Sequence, residues 1–368
     1  MTYLVSIKTA FLLYPFISIL ITIPFILIEY HKYGSINKIR TLIIYSFILY
    51  LMTLYFLVIL PLPSIEKVQH MIRLKPILIP FSFISNIIRE TSFVWNNPNT
   101  YLKALIDPCI YTVIFNIIMT IPFGMYLRYY FKCDLKSTIK YSFLLSLFFE
   151  LTQLTGLYFI YPKPYRVFDV DDLMMNTLGG YLGYLLMGKF TKVLPTRDII
   201  DEDTYKNSKI VSGLRRITLF CIDITIYFTI EIFIHIFIFH NRLTKYIIFI
   251  IYFVIVPYLW KGKTIGSNFV KVRFSTNNKK MLRLLIKAIS QFVYYILLPL
   301  GIIFCTAFIT TNYNFTVEAK ILTILSVFII IFIYYLINII FLIKNKRMFY
   351  DEFSKIEFTS TIDNYRKS

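Results

Sequence analysis

The sequence predicts an all-α, polytopic transmembrane helix bundle of about nine spans, five followed by four. Three observations carry that expectation. Of 368 residues, 57% are hydrophobic and only 16% are charged. Mean hydropathy is +0.66. Uncharged apolar runs close to twenty residues long recur along the chain, which is the length of helix that crosses a hydrocarbon core of about 30 Å.

The first run, Thr9–Ile28, follows Lys8. It is too long for a signal-peptide core and no small-x-small cleavage site follows it, so it reads as a retained span. The second run is Thr41–Leu60. Before the third lies PILIPFSFISNII, Pro76 to Ile88, with two prolines; so short a run predicts a re-entrant or interfacial segment. Spans three to five are Pro108–Leu127, Tyr141–Ile160 and Leu173–Met187. The polar stretch VLPTRDIIDEDTYKNSK then breaks the apolar rhythm around Pro195. This divides the chain into a first membrane domain over 1–190, a cytoplasmic linker over 191–212, and a second membrane domain with a cytoplasmic tail over 213–368. The second domain holds Ile217–Phe239, Tyr246–Trp260, Ala288–Thr310 and Ile321–Ile343.

Charge orients the spans. With the N-terminus outside and the spans alternating, cytoplasmic segments collect 28 of the 39 Lys and Arg. The positive-inside rule then places the N-terminus outside and the C-terminus in the cytoplasm. The loop over 61–104 carries five basic residues and runs against this trend. The formal net charge of +19 predicts contact with anionic lipid on the cytoplasmic side, most clearly between Lys261 and Lys287, where eight basic residues occur without an acid. No aromatic-basic platform or recognition helix is present, so nucleic acid is not an expected partner. Cys109, Cys133, Cys221 and Cys305 are isolated from one another, which predicts neither a disulfide framework nor a zinc site. No cofactor is expected, and the oligomeric state is not legible.

Polar residues inside the runs are the candidate functional groups. Ser142, Ser146, Glu150 and Gln153 share one helix face, and Asn116, Thr120 and Gly124 repeat every four residues on the preceding span. Lipid offers such faces no partners, so they should turn toward each other. Glu150 is the sharpest signal, because an acid at mid-span costs about 2.5–3.5 kcal/mol on insertion scales. YRVFDVDDLMMNTLGG, Tyr165 to Gly180, supplies Asp169, Asp172 and Asn176 on one face. The bland reading is a capped helix start, with Asp169 or Asp171 as N-cap, a salt bridge from Arg166, and Gly179 and Gly183 for close packing. The functional reading is an outward-facing pocket of Glu150, Gln153, Arg166, Asp169, Asp172 and Asn176, with Asn116 facing it. Three chemistries fit: a divalent cation held by carboxylates and an amide, acid-base work by a carboxyl beside a second carboxylate, or a polar ligand clamped by Arg166 and Asn176. In the second half, Arg216 and Asp223 lie two turns apart and predict a buried ion pair. Glu231 and His235, further along, suggest with Asp223 an ion or proton pathway.

Two resemblances follow from these residues. The first half resembles the VanZ-like family over about 10–190, through Glu150-x2-Gln153, Arg166-x2-Asp169-x2-Asp172-x3-Asn176-x2-Gly179-Gly180-x2-Gly183, NIIMTIPFG from Asn116 to Gly124, and LIPFSFI in the outer loop. The second half resembles the RDD family over about 210–358, through Arg216 and Asp223 in GLRRITLFCID, the segment GKTIGSNFVKVRF, and Asp351 in RMFYDEFSK. It departs at Gly266-Ser267, where the family usually has Gly-Lys. The first resemblance implies a bacterial cell-membrane protein linked to low-level glycopeptide (teicoplanin) resistance, with a cell-wall precursor or the glycopeptide as ligand. The second implies association with cation transport. The leading expectation is therefore an envelope and antibiotic-response protein with a polar pocket between spans four and five. A transporter using intramembrane Asp, Glu and His is the alternative. A membrane enzyme acting on a lipid-linked or peptidoglycan precursor ranks last, because no nucleophile or metal-ligand triad stands out.

Overall fold

The structure, a computed structural model, describes residues 2–91, 96–101, 107–191, 193–238, 241, 243–276, 279–312, 316–344 and 347–362. It is all-α apart from one two-stranded antiparallel sheet. The chain divides into two compact units: Met1–Leu20 with Lys38–Ile200, and Ile21–Asn37 with Asp201–Ser368.

The first unit is built from part of α1 (Thr2–Lys32), α2 (Lys38–Ile59), the short α3 (Ile65–His70) and α4 (Ser82–Glu90), then α5 (Pro108–Tyr129), α6 (Leu135–Leu154) and α7 (Val170–Phe190). Each long helix after α2 starts where a side chain satisfies backbone donors that the helix itself leaves open. Asp107 accepts from Cys109 N, Asp134 from Ser137 N, and Asp169 from Asp171 N. Pro108 at the first helical position of α5 helps, because its fixed φ suits a helix start. The PILIPFSFISNII segment ends in α4, nine residues long, which is too short to cross a bilayer.

α7 packs against both α5 and α6. The approach to α5 is closer than side chains allow. A Cβ on Gly124 would stand 1.9 Å from Gly180 O, and one on Gly183 would stand 2.0 Å from Ile121 O. Bare backbone at these positions lets two helices meet where lipid supplies no hydrophobic drive.

α8 (Arg197–Ser208) occupies the stretch expected as a linker. The second unit continues with α9 (Gly213–Phe237), α10 (Thr244–Leu259), α11 (Ile265–Phe269), β1 (Val272–Ser275), α12 (Lys280–Asn312), α13 (Val317–Ile343), α14 (Phe349–Ser354) and β2 (Glu357–Ser360). β1 and β2 pair from Val272↔Ser360 to Ser275↔Glu357. Their inner residues join a core of Tyr30, Leu219, Val254, Val270, Leu284 and Ile356. Arg215 organises this end. It is wholly buried and donates to Ser208 O, Val270 O and Lys271 O at 2.7–2.8 Å.

Among the described residues, six helices are long and apolar enough to cross a membrane: α1, α2, α5, α9, α12 and α13. Their outer faces carry exposed Phe, Leu and Ile, such as Phe11, Leu20, Phe304 and Phe328, as lipid-facing helices should. The chain is therefore a multi-pass membrane protein, and six of the about nine expected spans meet that length and hydropathy. The other three expected spans fall on α6, α7 and α10. The first two carry the polar faces that lower their hydropathy, and α10 is shorter than a usual span.

The glycine contacts give a direct test. Gly183→Ala forces a methyl group into the Ile121 carbonyl, whereas Gly301 has nothing within 4 Å of its would-be Cβ. Gly183→Ala should cost about 1–3 kcal/mol and lower the melting temperature of the detergent-solubilised protein. Gly301→Ala should leave it unchanged or slightly raised. Equal melting of both variants would contradict the close α5–α7 contact.

Candidate functional site

The polar faces of α5, α6 and α7 meet at the end of the bundle where α2 and α6 finish and α5 and α7 begin. Asn116 Nδ2 on α5 donates to Asp172 Oδ1 on α7 at 2.6 Å. Thr120 Oγ1 donates to Asn176 O at 2.8 Å. Asn176 Nδ2 donates to Ser146 Oγ on α6 at 2.9 Å, and Ser146 Oγ donates to Asp172 O at 3.3 Å. Three helices are thus tied by bonds that use the side chains forming the two sequence stripes.

Above this network lies a cavity of about 110 Å³. Asn116, Glu150, Gln153, Arg166, Asp172 and Asn176 line it, with Val58, Phe115, Met119 and Phe149 as apolar wall. Six of the seven ligand-binding candidates thus share one small space, and Glu150 is only 2% exposed. Glu150 Oε2 accepts from Asp169 N at 3.0 Å, and Gln153 Nε2 donates to Val58 O at 3.2 Å. Asn176 Oδ1 is buried without a hydrogen-bond partner among the described residues. The volume corresponds to roughly three or four waters at about 30 Å³ each.

Asp169 does not line the cavity. It is the N-cap of α7, bonded to Asp171 N at 2.9 Å, and its peptide N–H serves Glu150. Burial pushes its carboxyl above the usual carboxylate range, against the opposing pull of the Asp171 N–H. Arg166 makes no salt bridge among the described residues. Its guanidinium instead donates to Val58 O at 2.6 Å and Leu60 O at 2.9 Å, capping carbonyls at the end of α2 that no further turn would satisfy. It therefore fixes one wall of the cavity while its positive charge stays beside Glu150 and Asp172.

Asp171 has a larger role than a second capping candidate. Its Oδ1 accepts from Phe81 N at 2.6 Å, and its Oδ2 accepts from Ser82 Oγ at 2.8 Å and Phe83 N at 2.9 Å. It therefore caps α4 from a distance and, with the pairing of Ile77 beside Asp169, pins the outer segment to the start of α7. Nothing in the local sequence signals this, because the two partners are about ninety residues apart.

The second unit holds a separate charged centre. Arg216 does not pair with Asp223. Arg216 Nη1 meets Asp351 Oδ2 at 3.4 Å. Asp223 accepts from Tyr252 OH at 2.7 Å, Thr264 Oγ1 at 2.6 Å and Gly266 N at 2.8 Å. Two turns of helix separate Arg216 from Asp223 by about 10 Å, and nearer partners reach each first. Arg216, Asp223 and Asp351 nevertheless line one cavity of about 320 Å³. Glu231 and His235 lie off it, toward the far end of α9, with His235 exposed. Lys287, one of the eight basic residues expected at the lipid surface, is instead buried, with its Nζ 3.5 Å from the Phe274 ring centroid. Among the described residues, no cluster of three or more His, Cys, Asp and Glu is arranged to hold a metal ion.

The VanZ/LLP1 family model matches residues 47–191. That match supports the VanZ-like reading of the N-terminal half and covers every residue lining the smaller cavity; it stops short of the second unit. No curated protein and no solved structure matches the chain.

Removing the Asp171 carboxylate tests the outer-segment account. Asp171→Ala should cost about 1–2 kcal/mol of local capping energy and raise amide hydrogen exchange across 81–90 by roughly five- to thirtyfold. Unchanged exchange there would show that α4 is held by something else.

Proposed function

We propose that this chain is a bacterial cell-membrane protein of the envelope and glycopeptide-antibiotic response. Its N-terminus lies outside and its C-terminus in the cytoplasm, and it binds the polar end of an envelope component in the cavity of the first unit. The VanZ/LLP1 match over 47–191 and the apolar helices fit a membrane protein linked to that response. The observation that carries the finer reading is the convergence of Asn116, Glu150, Gln153, Arg166, Asp172 and Asn176 on one cavity.

Size narrows the ligand. Drug-sized molecules occupy pockets of about 300–1,000 Å³, so a cavity of about 110 Å³ takes a terminal group and not a whole glycopeptide. The group must suit both signs. Glu150 and Asp172 offer carboxyl groups and Arg166 offers a cation. An amine, amide or carboxylate at the end of a cell-wall precursor meets these demands, with Glu150 and Gln153 as floor, Arg166 as the anion contact, and Asp172, Asn176 and Asn116 as rim.

A second reading rests on the other cavity. Arg216, Asp223 and Asp351 meet there and carry the RDD resemblance, which favours an ion- or proton-coupled transporter. Everted vesicles containing the protein should then show ion-dependent proton movement that Asp223→Asn removes. Vesicles without such movement would rule this reading out.

The leading reading is tested in cells. Glu150→Gln and Asp172→Asn should each abolish the resistance phenotype conferred by the protein, while its amount in the membrane fraction stays unchanged. Full resistance in both variants would overturn it.

A further inference from the structure

The smaller cavity, in the first unit, is rich in oxygens that take no hydrogen bond from the described residues. Glu150 Oε2 accepts from Asp169 N and Asp172 Oδ1 accepts from Asn116 Nδ2, which leaves Glu150 Oε1 and Asp172 Oδ2. Asn116 Nδ2 and Gln153 Nε2 are engaged by Asp172 and by Val58 O, which leaves the amide oxygens Asn116 Oδ1 and Gln153 Oε1. None of these four oxygens belongs to the buried side-chain atoms that are sealed off without a partner. Their residues line the cavity, and Glu150 and Gln153 are more than nine-tenths buried. What surface these oxygens keep is therefore the cavity's own.

Donors are scarcer. Both terminal nitrogens of Arg166 already donate to carbonyls at the end of α2. The charged groups around the cavity are Glu150 on α6, Asp169, Asp171 and Asp172 at the start of α7, and Arg166 just before it. α2 and α5 add none to its lining. Four carboxyls against one guanidinium must hold protons or meet a further cation. A carboxylate ligand would add one more like charge. An amide would bring an acceptor where acceptors are in excess. A divalent metal ion would need six or more oxygen ligands and would set two charges beside Arg166. A primary ammonium brings three donor hydrogens and no acceptor, together with the missing charge. Counting about 30 Å³ for each water-sized group, the cavity of about 110 Å³ holds an ammonium and the two or three carbons behind it. Phe115 and Phe149 give those carbons an apolar wall.

We infer that this cavity binds a primary ammonium group on a short aliphatic arm, its hydrogens shared among Glu150, Asp172, Gln153 and Asn116 and its arm against Phe115 and Phe149. The inference rests on the reading of this cavity as a ligand site and selects one of the three end groups open to it. The same chemistry ends an ethanolamine phospholipid head and a lysine side chain of a wall peptide.

The full-length protein in a non-ionic detergent, in an amine-free buffer of fixed pH and ionic strength, is titrated with propylammonium, propionate, propionamide and magnesium ion. Propylammonium should raise the melting temperature saturably, with half the effect on the order of 1 mM, as suits so small a ligand. The other three should be at least about tenfold weaker. Glu150→Gln keeps the side chain's shape, removes its charge and should weaken propylammonium by about tenfold or more. The ranking of probes on the wild-type chain decides the matter if that variant does not fold. Propionate, propionamide or magnesium ion matching propylammonium would overturn the ammonium assignment while leaving the cavity a ligand site. No saturable effect from any probe would overturn the ligand site as well. Competition then names the source. Blocking of the propylammonium effect by phosphatidylethanolamine but not phosphatidylcholine assigns a lipid head. Blocking by a lysine-containing peptide but not its side-chain-acetylated form assigns a wall peptide. Either result upholds the ammonium site.

Discussion

The hydrocarbon core of a bilayer cannot donate or accept a hydrogen bond, and this constraint governs how the first unit is put together. Asn116, Thr120, Ser146, Glu150, Gln153, Asp172 and Asn176 sit on helices that would otherwise be apolar, so each must find its partner within the protein. The bonds Asn116–Asp172, Asn176–Ser146 and Thr120–Asn176 are the result. They require α5 and α7 to approach until backbone meets backbone, which is why glycine stands at 124, 179 and 183. Close packing and polar pairing are therefore one arrangement, because either alone would leave the other strained.

Magnitudes argue that this arrangement does more than hold helices together. An interhelical hydrogen bond in a membrane contributes about 0.6 kcal/mol on average. Glu150 lies in the last turn of α6, is 2% exposed and accepts one bond, from Asp169 N; leaving a buried polar group underpaired costs about 1–3 kcal/mol. Packing alone would be better served by an apolar residue at 150. The second unit manages its charge differently. Asp223 is enclosed by three donors and Asp351 is paired with Arg216.

The sequence made the periodic features legible. The stripe from Ser142 to Gln153 and the repeat from Asn116 to Gly124 follow from helix geometry, and the two faces do meet. The Asp169 cap was readable because a cap acts on residues next to it. Features that depend on distant partners were not readable. Asp171 holds Phe81 and Ser82 across about ninety residues, and Arg216 reaches Asp351 across 135, passing over the nearer Asp223. Arg166 turned to carbonyls at the end of α2, a demand visible only once that helix end is placed. Lys287 was hidden by its company: within a run of eight basic residues composition cannot tell which one lies on the buried face of α12. Hydropathy alone does not mark α6 and α7 as spans, since the polar residues lining the cavity lower the hydropathy by which a span is recognised.

The central claim is that polar groups at one end of α2, α5, α6 and α7 enclose a space reachable from outside the cell. Site-directed thiol labelling reads this directly. In a chain whose four native cysteines are replaced by serine, Thr112→Cys and Met119→Cys place a thiol on two lining positions. Applied to intact cells, a small membrane-impermeant thiol reagent should modify both, and a bound envelope precursor should slow the reaction at Met119→Cys. Modification only from the cytoplasmic side, or only after denaturation, would contradict the account.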